Sequence, residues 1–201
     1  MSAEPALTIL IPAAGASRRM RGADKLLEPV AGHPMLRRQA LIALAQSVPV
    51  IVTLRKDDGL RKATLMGLAL ECLTIDDAHL GMSASIRHAA ARVKTALMIL
   101  PADMPDLTQA DLATMIAASD SMPDLILRGS AAGKPGHPVI FPARLIPDLI
   151  GLHGDEGAKS VIAAHPGAIR LIALPATHAL TDLDTPEDWA DWRGRQGRPA
   201  I

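Results

Sequence analysis

Residues 7–17 read LTILIPAAGAS, so a short apolar run is followed at once by small residues and a serine. The run from Leu7 to Ile11 is apolar throughout except at Thr8, which is typical of a strand buried on both faces of a sheet. Six more runs of this kind follow, over residues 48–54, 72–75, 96–100, 125–127, 139–141 and 169–174. A sheet covered on both faces is therefore expected.

Helical patterns separate these strands. They cover residues 34–46, 83–93, 108–119 and 158–164. Pro34 suits the first position of a helix, and Thr108 with Asp111 resembles a capping box. The alternation predicts a three-layer, Rossmann-like α/β domain, with a mostly parallel sheet and helices on both faces. We expect a single domain over residues 1–192 and a flexible tail over residues 193–201.

One stretch interrupts this alternation. Residues 128–137 read RGSAAGKPGH and predict a loop over the sheet edge, because Gly and Pro favour turns. Residues 134–138 and 154–157 are polar and predicted to be flexible, as expected of loops that close over a substrate.

The composition excludes several classes of protein. The chain has 201 residues, 49% of them hydrophobic, and its 21 Lys and Arg residues balance 21 Asp and Glu residues. A general nucleic-acid or membrane-surface binder needs a cationic excess, so neither partner is expected. Aromatic residues make up 1% of the chain and tyrosine is absent, which excludes base-stacking platforms for single-stranded nucleic acid.

Location and redox state follow from few residues. Only Glu4 is charged ahead of the first apolar run, whereas a secretion signal needs a positive region there. No apolar run is long enough to span a bilayer, so a cytoplasmic protein is expected. Cys72 is the single cysteine, which excludes an internal disulfide and a Cys-based zinc cluster. We expect it to be a buried core thiol.

The segment from Ile11 to Lys25 carries the strongest functional pattern. Small residues let the backbone approach a ligand, and successive amides can cradle an anion. Arg18, Arg19 and Arg21 join Lys25 in one loop, a combination that suits a triphosphate. The segment is neither a Walker loop nor a dinucleotide fingerprint. The alternative interpretation is a tight turn with a solvated basic edge.

Two acidic segments are candidates for a metal site. Asp103 follows the run at residues 96–100, and a carboxylate there can hold Mg²⁺ with substrate phosphates. Its alternative role is a helix cap, but Thr108 is better placed for capping. Asp182 and Asp184 are two residues apart and project to one side of an extended segment, where they can complete the site. On its own, this second segment is better explained as a helix start, capped by Asp184 or Thr185.

Taken together, these segments resemble the nucleotidyltransferases that complete the molybdenum cofactor. The first motif of that family runs Ala/Gly-Gly-x-Ser-x-Arg-Met-Gly-x-x-Lys. The matching residues are Gly15, Ser17, Arg19, Met20 and Lys25, with Arg21 as an extra residue before Gly22 that alters the spacing of the loop. Further matches are Asp103-Met-Pro, Asp182-x-Asp-Thr-Pro-Glu-Asp, Gly136-His-Pro-Val and Gly154-Asp-Glu-Gly-Ala.

The resemblance implies a nucleotide-diphospho-sugar transferase-like fold and a reaction. Guanylyl-transferring members read Leu-Ala-Gly-Gly in the first motif, whereas Pro12 to Gly15 read Pro-Ala-Ala-Gly, which is similar to the cytidylyl-transferring branch. The implied reaction moves CMP from CTP to the phosphate of molybdopterin and releases pyrophosphate. The implied partner is a molybdoenzyme of the xanthine dehydrogenase type, or its chaperone, which receives the product.

The resemblance also implies roles for residues. Arg19, Lys25 and Asp103 are the expected catalytic residues, and Asp103 with Asp184 is expected to bind Mg²⁺, with Asp182 in reserve. The expected nucleotide-binding residues are Ala13, Ala14, Gly15, Ala16, Ser17, Arg19, Lys25, Ser83, Ser85, Pro101 and Asp103. Ser83 and Ser85 would lie near the base or the sugar, although Ser83 is equally suited to cap a helix.

Three alternatives remain open from the sequence. The guanylyl branch of the same family would prefer GTP. A nucleotidyltransferase with the same fold could use another phosphorylated small molecule as acceptor. Such an enzyme would form no product from molybdopterin. A nucleotide-binding module that chaperones a cofactor would bind CTP without releasing pyrophosphate.

Overall fold

The computed structural model describes residues 6–155 and 157–196. The strands are β1 (Leu7–Pro12), β2 (Pro29–Val30), β3 (His33–Pro34), β4 (Val50–Arg55), β5 (Glu71–Ile75), β6 (Ala96–Ile99), β7 (Ile126–Ala131), β8 (Lys134–Phe141) and β9 (Ile169–Ala173). The helices are α1 (Met35–Leu44), α2 (Gly59–Thr64), α3 (Met82–Ala90), α4 (Gln109–Ser121), α5 (Ile146–Ile150), α6 (Lys159–Ala164) and α7 (Pro186–Gln196).

Seven strands form one sheet in the order β5-β4-β1-β6-β8-β7-β9. Strands β5, β4, β1 and β6 are parallel to one another, and β9 is parallel to β7. Strand β8 is antiparallel to both of its neighbours, β6 and β7. The predicted α/β architecture, with a mostly parallel sheet, is therefore confirmed. Strands β2 and β3 form a separate two-stranded ribbon.

The core has two main layers because successive side chains of a strand point to opposite faces. Ile9 and Ile11 of β1 pack against α1 and α4 on one face of the sheet. Leu10 packs against α3, α5 and α6 on the other face. The central strands β1, β4 and β6 are thus almost entirely apolar, apart from the buried Thr8 and Thr53, as the continuous runs predicted.

Helix α4 begins with the predicted capping box. The Thr108 hydroxyl accepts a hydrogen bond from the Asp111 amide, and the Asp111 carboxylate accepts one from the Thr108 amide. Helix α1 starts one residue later than predicted, with Pro34 at its N-cap position.

The predicted loop over residues 128–137 is wrong, because these residues form the hairpin of β7 and β8. Its two-residue turn is Ala132 and Gly133, with φ of 48° and 75°, as the tightest hairpin turns require. Gly136 lies within β8, and only glycine fits there because a Cβ atom would be 2.0 Å from the Ala179 carbonyl oxygen. Glycine residues in this stretch allow close approach of the backbone as well as turns, so the high glycine content was mistaken for that of a loop.

Two further predictions, on the burial of Cys72 and on the C-terminal tail, differ from the structure. Cys72 is exposed, so the prediction of a buried thiol is wrong. The reason is that β5 is an edge strand whose residues alternate towards solvent. Residues 193–196, predicted as tail, belong to α7, and residues 197–201 lie outside the described residues.

Helix α7 is anchored by its two tryptophans. Trp189 and Trp192 pack edge to face and share a small apolar cluster with Met20 and Met35. This cluster therefore joins α7 to the segment that follows β1. None of the helices within residues 6–155 and 157–196 is long and apolar enough to cross a membrane.

Candidate active site

The functional candidates gather at the carboxyl ends of β1 and β6, which are adjacent parallel strands. Residues 13–17 follow β1, and Asp103 follows β6. The backbone of Leu183 donates a hydrogen bond to the Asp103 carbonyl, which brings the late acidic segment to the same edge. In open α/β sheets this edge is where ligands bind.

Lys25 connects the two acidic segments. Its Nζ donates to Asp103 Oδ2 over 2.5 Å and to Asp184 Oδ1 over 2.7 Å. Arg19, which is largely exposed, contacts the other Asp184 oxygen over 2.8 Å. The structure thus brings together all three residues expected to be catalytic, and it places Asp184 rather than Asp182 on Lys25.

The charges of this cluster follow from burial and pairing. Burial by itself would lower the pKa of Lys25, but Asp103 and Asp184 together raise it above its ordinary value, so the ammonium form is held. The pKa of Asp182 is raised, chiefly by burial and then by repulsion from Asp103 and Asp184. Three carboxylates, those of Asp103, Asp182 and Asp184, therefore lie near two cations, Lys25 and Arg19.

Asp184 is free for this role because another residue caps the following helix. The Thr185 hydroxyl accepts a hydrogen bond from the Asp188 amide over 3.2 Å. The Asp188 carboxylate accepts in return from the amides of Thr185 and Asp184. The alternative interpretation of this segment is thus correct for Thr185, and the Asp184 side chain remains directed to Lys25 and Arg19.

A first cavity of about 210 Å³ lies beside Lys25. Of the expected nucleotide-binding residues, its lining includes Gly15, Lys25, Ser85, Pro101 and Asp103. Ala13 and Ala14 are buried in the core, and the Ala13 amide donates to the Thr53 carbonyl, so Ala13 has no free donor for a ligand.

Ser83 is not among the residues lining this cavity. It is buried, and its hydroxyl lies 3.4 Å from the Gly157 carbonyl oxygen, to which it donates. It makes no capping hydrogen bond for α3 either. Ser83 therefore joins α3 to the segment around Gly157. Arg21 pairs with Glu187 at the surface, away from Lys25.

A second cavity of about 520 Å³ lies on the hairpin side of the sheet. Its walls are mainly apolar, with Ile99, Val139 and Phe141 among them, and its polar lining includes Arg128 and His137. Arg19, Lys25, Asp103 and Asp184 form what we call the Lys25 cluster. A cleft that is lined by these four residues and by Arg128 and His137 connects the cluster with the second cavity. The cluster therefore lies between two cavities.

Arg128 and His137 were missed by the sequence analysis. Arg128 Nε and His137 Nδ1 are buried, and neither has a hydrogen-bond partner within residues 6–155 and 157–196. Burial, and then the charge of Arg128, lowers the pKa of His137, so its neutral form is favoured. Since buried polar atoms are usually paired, two unpaired atoms in residues that line the second cavity make it a candidate ligand site. Both belong to the segment that resembled a loop, and the His137 motif was the only signal for them.

Residues 9–169 match the MobA-like NTP transferase domain. The chain belongs to this family. It is accordingly a nucleotidyltransferase.

The chain is also similar to curated relatives and to solved structures. The chain is 31% identical to the molybdenum cofactor guanylyltransferase of Cereibacter sphaeroides, covering 90% of this chain and 92% of that protein. It is 26% identical to the purine catabolism protein PucB of Bacillus subtilis, covering 92% and 95%. The crystal structure of Rv0371c from Mycobacterium tuberculosis superposes with a TM-score of 0.82 at 25% identity, covering 94% and 97%.

Proposed function

We propose that this protein transfers CMP from CTP to the terminal phosphate of molybdopterin and releases pyrophosphate. The observation that carries the proposal is the Lys25 cluster, in which one ammonium group joins Asp103 and Asp184 between two cavities. A nucleotide in one cavity and an acceptor in the other would meet at this cluster. The product would pass to a molybdoenzyme of the xanthine dehydrogenase type or to its chaperone.

The reaction requires alignment more than acid–base chemistry. An oxygen of the acceptor phosphate forms a bond to the α-phosphorus of CTP while the bond to the pyrophosphate oxygen breaks. The nucleophile is already an anion, so no side chain needs to remove a proton. The protein must hold both anions in line and stabilise the developing charge.

Each cluster residue has a task in this reaction. Backbone amides of residues 14–17 bind the phosphates of the nucleotide, since the Ala13 amide already donates to the Thr53 carbonyl. Lys25 and Arg19 stabilise the charge that develops on those phosphates, since both cations lie at the junction of the cavities. Pro101 and Ser85, which also line the first cavity, confine the rest of the nucleotide.

The acidic residues fit a divalent cation. Asp103 and Asp184 already share one cation, the Lys25 ammonium, so their oxygens converge on a point that a cation occupies. Mg²⁺ takes one or two protein carboxylates together with substrate phosphates, so Asp103 and Asp184 would hold it. When bound, it would neutralise phosphate charge. The structure of Rv0371c with manganese makes Mn²⁺ the second ion to test.

The second cavity supports a bulky heterocyclic acceptor. Its apolar walls suit the faces of a pterin, and Arg128 and His137 offer buried polar atoms for hydrogen bonds to a pterin edge. A ligand that pairs with these atoms would remove the cost of leaving them unpaired.

The guanylyl branch is the second candidate, because a relative of 31% identity is named as a molybdenum cofactor guanylyltransferase. Cytidylyl transfer is favoured by the sequence from Pro12 to Gly15, two of which line the first cavity. The two proposals share one site and differ only in the base.

The test is product formation from molybdopterin with CTP and with GTP, each with Mg²⁺ or Mn²⁺. Turnover with CTP alone supports cytidylyl transfer, turnover with GTP alone supports the guanylyl branch, and nucleotide binding without pyrophosphate release would contradict both. Asp103→Asn and Asp184→Asn are expected to weaken activation by the metal, with Asp57→Asn as an exposed control. Equal loss in Asp182→Asn would overturn the choice of ligands.

A further inference from the structure

Arg61 is the most deeply buried charged side chain near the site, and it lies outside the cluster described above. It is on α2, and 1% of it is exposed. Burying a guanidinium group is costly unless every donor is paired. The hydrogen-bond partners of Arg61 therefore indicate its function.

All five N–H groups of Arg61 are used by one segment of the chain. Nη1 donates to the carbonyls of Ala13 and Gly15 over 2.6 and 2.7 Å. Nη2 donates to the Ser17 hydroxyl and to Asp24 Oδ1, and Nε donates to Asp24 Oδ2. No donor remains for a ligand, so Arg61 cannot itself bind a phosphate.

The contacts with Ala13 and Gly15 fix the direction of the loop. The peptide bonds in this segment are trans, because the one cis bond among the described residues is His137–Pro138. In a planar trans peptide the N–H points opposite to the carbonyl. With the carbonyls of Ala13 and Gly15 turned to Arg61, the amides of Ala14 and Ala16 point away from it. Neither amide donates a hydrogen bond within the described part of the chain.

Ser17 is held in the same way. Its φ of 47° lies in the left-handed region, which serine adopts rarely and at a cost. Its hydroxyl accepts from Arg61 and donates to Asp24 over 3.0 Å, so both partners stabilise this conformation. Arg61 and Asp24 together therefore set the curvature of residues 13–17.

The charge of Arg61 is neutralised locally. Asp24 pairs with it through both oxygens, and Asp58 lies 3.3 Å from its Nε. A neutralised guanidinium group adds little long-range attraction for an anion. What it supplies is orientation, through a planar fork that lysine cannot reproduce.

We propose that Arg61 is a positioning residue that turns the amides of Ala14 and Ala16 towards the phosphates of the nucleotide. This inference rests on the proposed function only for the identity of the ligand. It requires an anionic ligand with two or more phosphates beside residues 13–17.

The test is binding of CTP, CDP, CMP and inorganic tripolyphosphate to the full chain carrying Arg61→Lys. Arg37→Lys is the matched control, because Arg37 also donates to backbone carbonyls, those of Thr64 and Met66, but outside the loop. We expect Arg61→Lys to weaken CTP binding roughly tenfold to a hundredfold, as the loss of one charged hydrogen bond implies. The loss should be smaller for CDP and smallest for CMP, because fewer phosphates reach the loop.

A purely structural role would give another pattern. An equal loss for CTP and CMP, or wild-type affinity for CTP, would overturn the proposal, as would a comparable loss in Arg37→Lys. Hydrogen exchange of the Ala13 amide, which donates to the Thr53 carbonyl, should also be faster in Arg61→Lys than in wild type. Unchanged exchange would count against the proposal. If Arg61→Lys does not fold, Asp24→Asn, which removes the charge that orients Arg61, serves for the same series.

The outcomes separate this inference from the proposed function. If wild type binds tripolyphosphate but neither CTP nor GTP, the proposed function fails, and the effect of Arg61→Lys on tripolyphosphate still decides the inference. If wild type binds none of these anions, both are overturned.

Discussion

The two sides of the candidate site satisfy their buried polar groups in opposite ways. On the β1 side, Arg61 uses every donor on protein atoms. On the hairpin side, Arg128 Nε and His137 Nδ1 are buried without partners among the described residues. The first side is thus organised by the protein alone, whereas the second has hydrogen bonds left to form. This difference suggests that a fixed pocket receives the nucleotide and that the acceptor completes the other pocket.

The sharpest test of this comparison lies where the two sides meet. Lys25→Ala removes the cation shared by Asp103 and Asp184, so turnover should fall roughly a hundredfold to a thousandfold with either nucleotide. Steady-state kinetics checks this, with Lys56→Ala as an exposed control. Because Lys25 is only partly buried, the thermal transition should remain cooperative. Near-normal turnover of folded Lys25→Ala would remove the cluster from the mechanism.

The hairpin side can be disturbed by a single methyl group. Gly136→Ala places a Cβ atom 2.0 Å from the Ala179 carbonyl oxygen, so β8 or its neighbour must move. We expect a loss of about 1–3 kcal/mol in the free energy of unfolding, as for other overpacked positions. Urea unfolding measures it against Gly167→Ala, where the added atom meets nothing within 4 Å. Equal stability of the two variants would show that this contact is not tight in solution.

The role of the unpaired atoms predicts selective effects on the acceptor. Arg128→Ala should raise the KM for molybdopterin roughly tenfold, the equivalent of about 1.4 kcal/mol, and leave the KM for the nucleotide unchanged. The physical reason is the loss of one hydrogen bond that forms only with the acceptor. Arg144→Ala is the control, since Arg144 donates to the Asp124 carbonyl outside the cavity. A rise in the KM for the nucleotide would contradict the assignment of Arg128 to the acceptor pocket.

His137 predicts the smallest effect, a dependence of stability on pH. Burial and the charge of Arg128 lower its pKa in the folded protein, so the unfolded chain binds the proton more readily. Stability is then lost as pH falls through the ordinary histidine pKa of about 6.5 towards the lower folded value. His137→Gln should lose less stability than wild type between pH 7.5 and pH 5, approximately, in urea titrations at each pH. His33→Gln, at an exposed position, should behave as wild type.

Strands that are buried on both faces were predictable, because a continuous apolar run is stable only in the protein core. Strands β1 and β6 and the cap of α4 follow from local patterns. The hairpin of β7 and β8 was missed, since its glycines permit close contact with residues distant in the chain. Cys72 was misplaced because the sequence does not show which strand lies at the edge of the sheet.

The site divides along the same line. The sequence itself determined which residues carry charge next to a strand end, and so indicated Lys25, Asp103 and Asp184. Only the tertiary structure decided that Asp184, rather than Asp182, contacts Lys25 and that the buried Arg61 orients residues 13–17. The physical reason is that residue type sets the available chemistry locally, whereas a hydrogen bond requires two atoms within about 3 Å, which residues far apart in the chain reach only after folding.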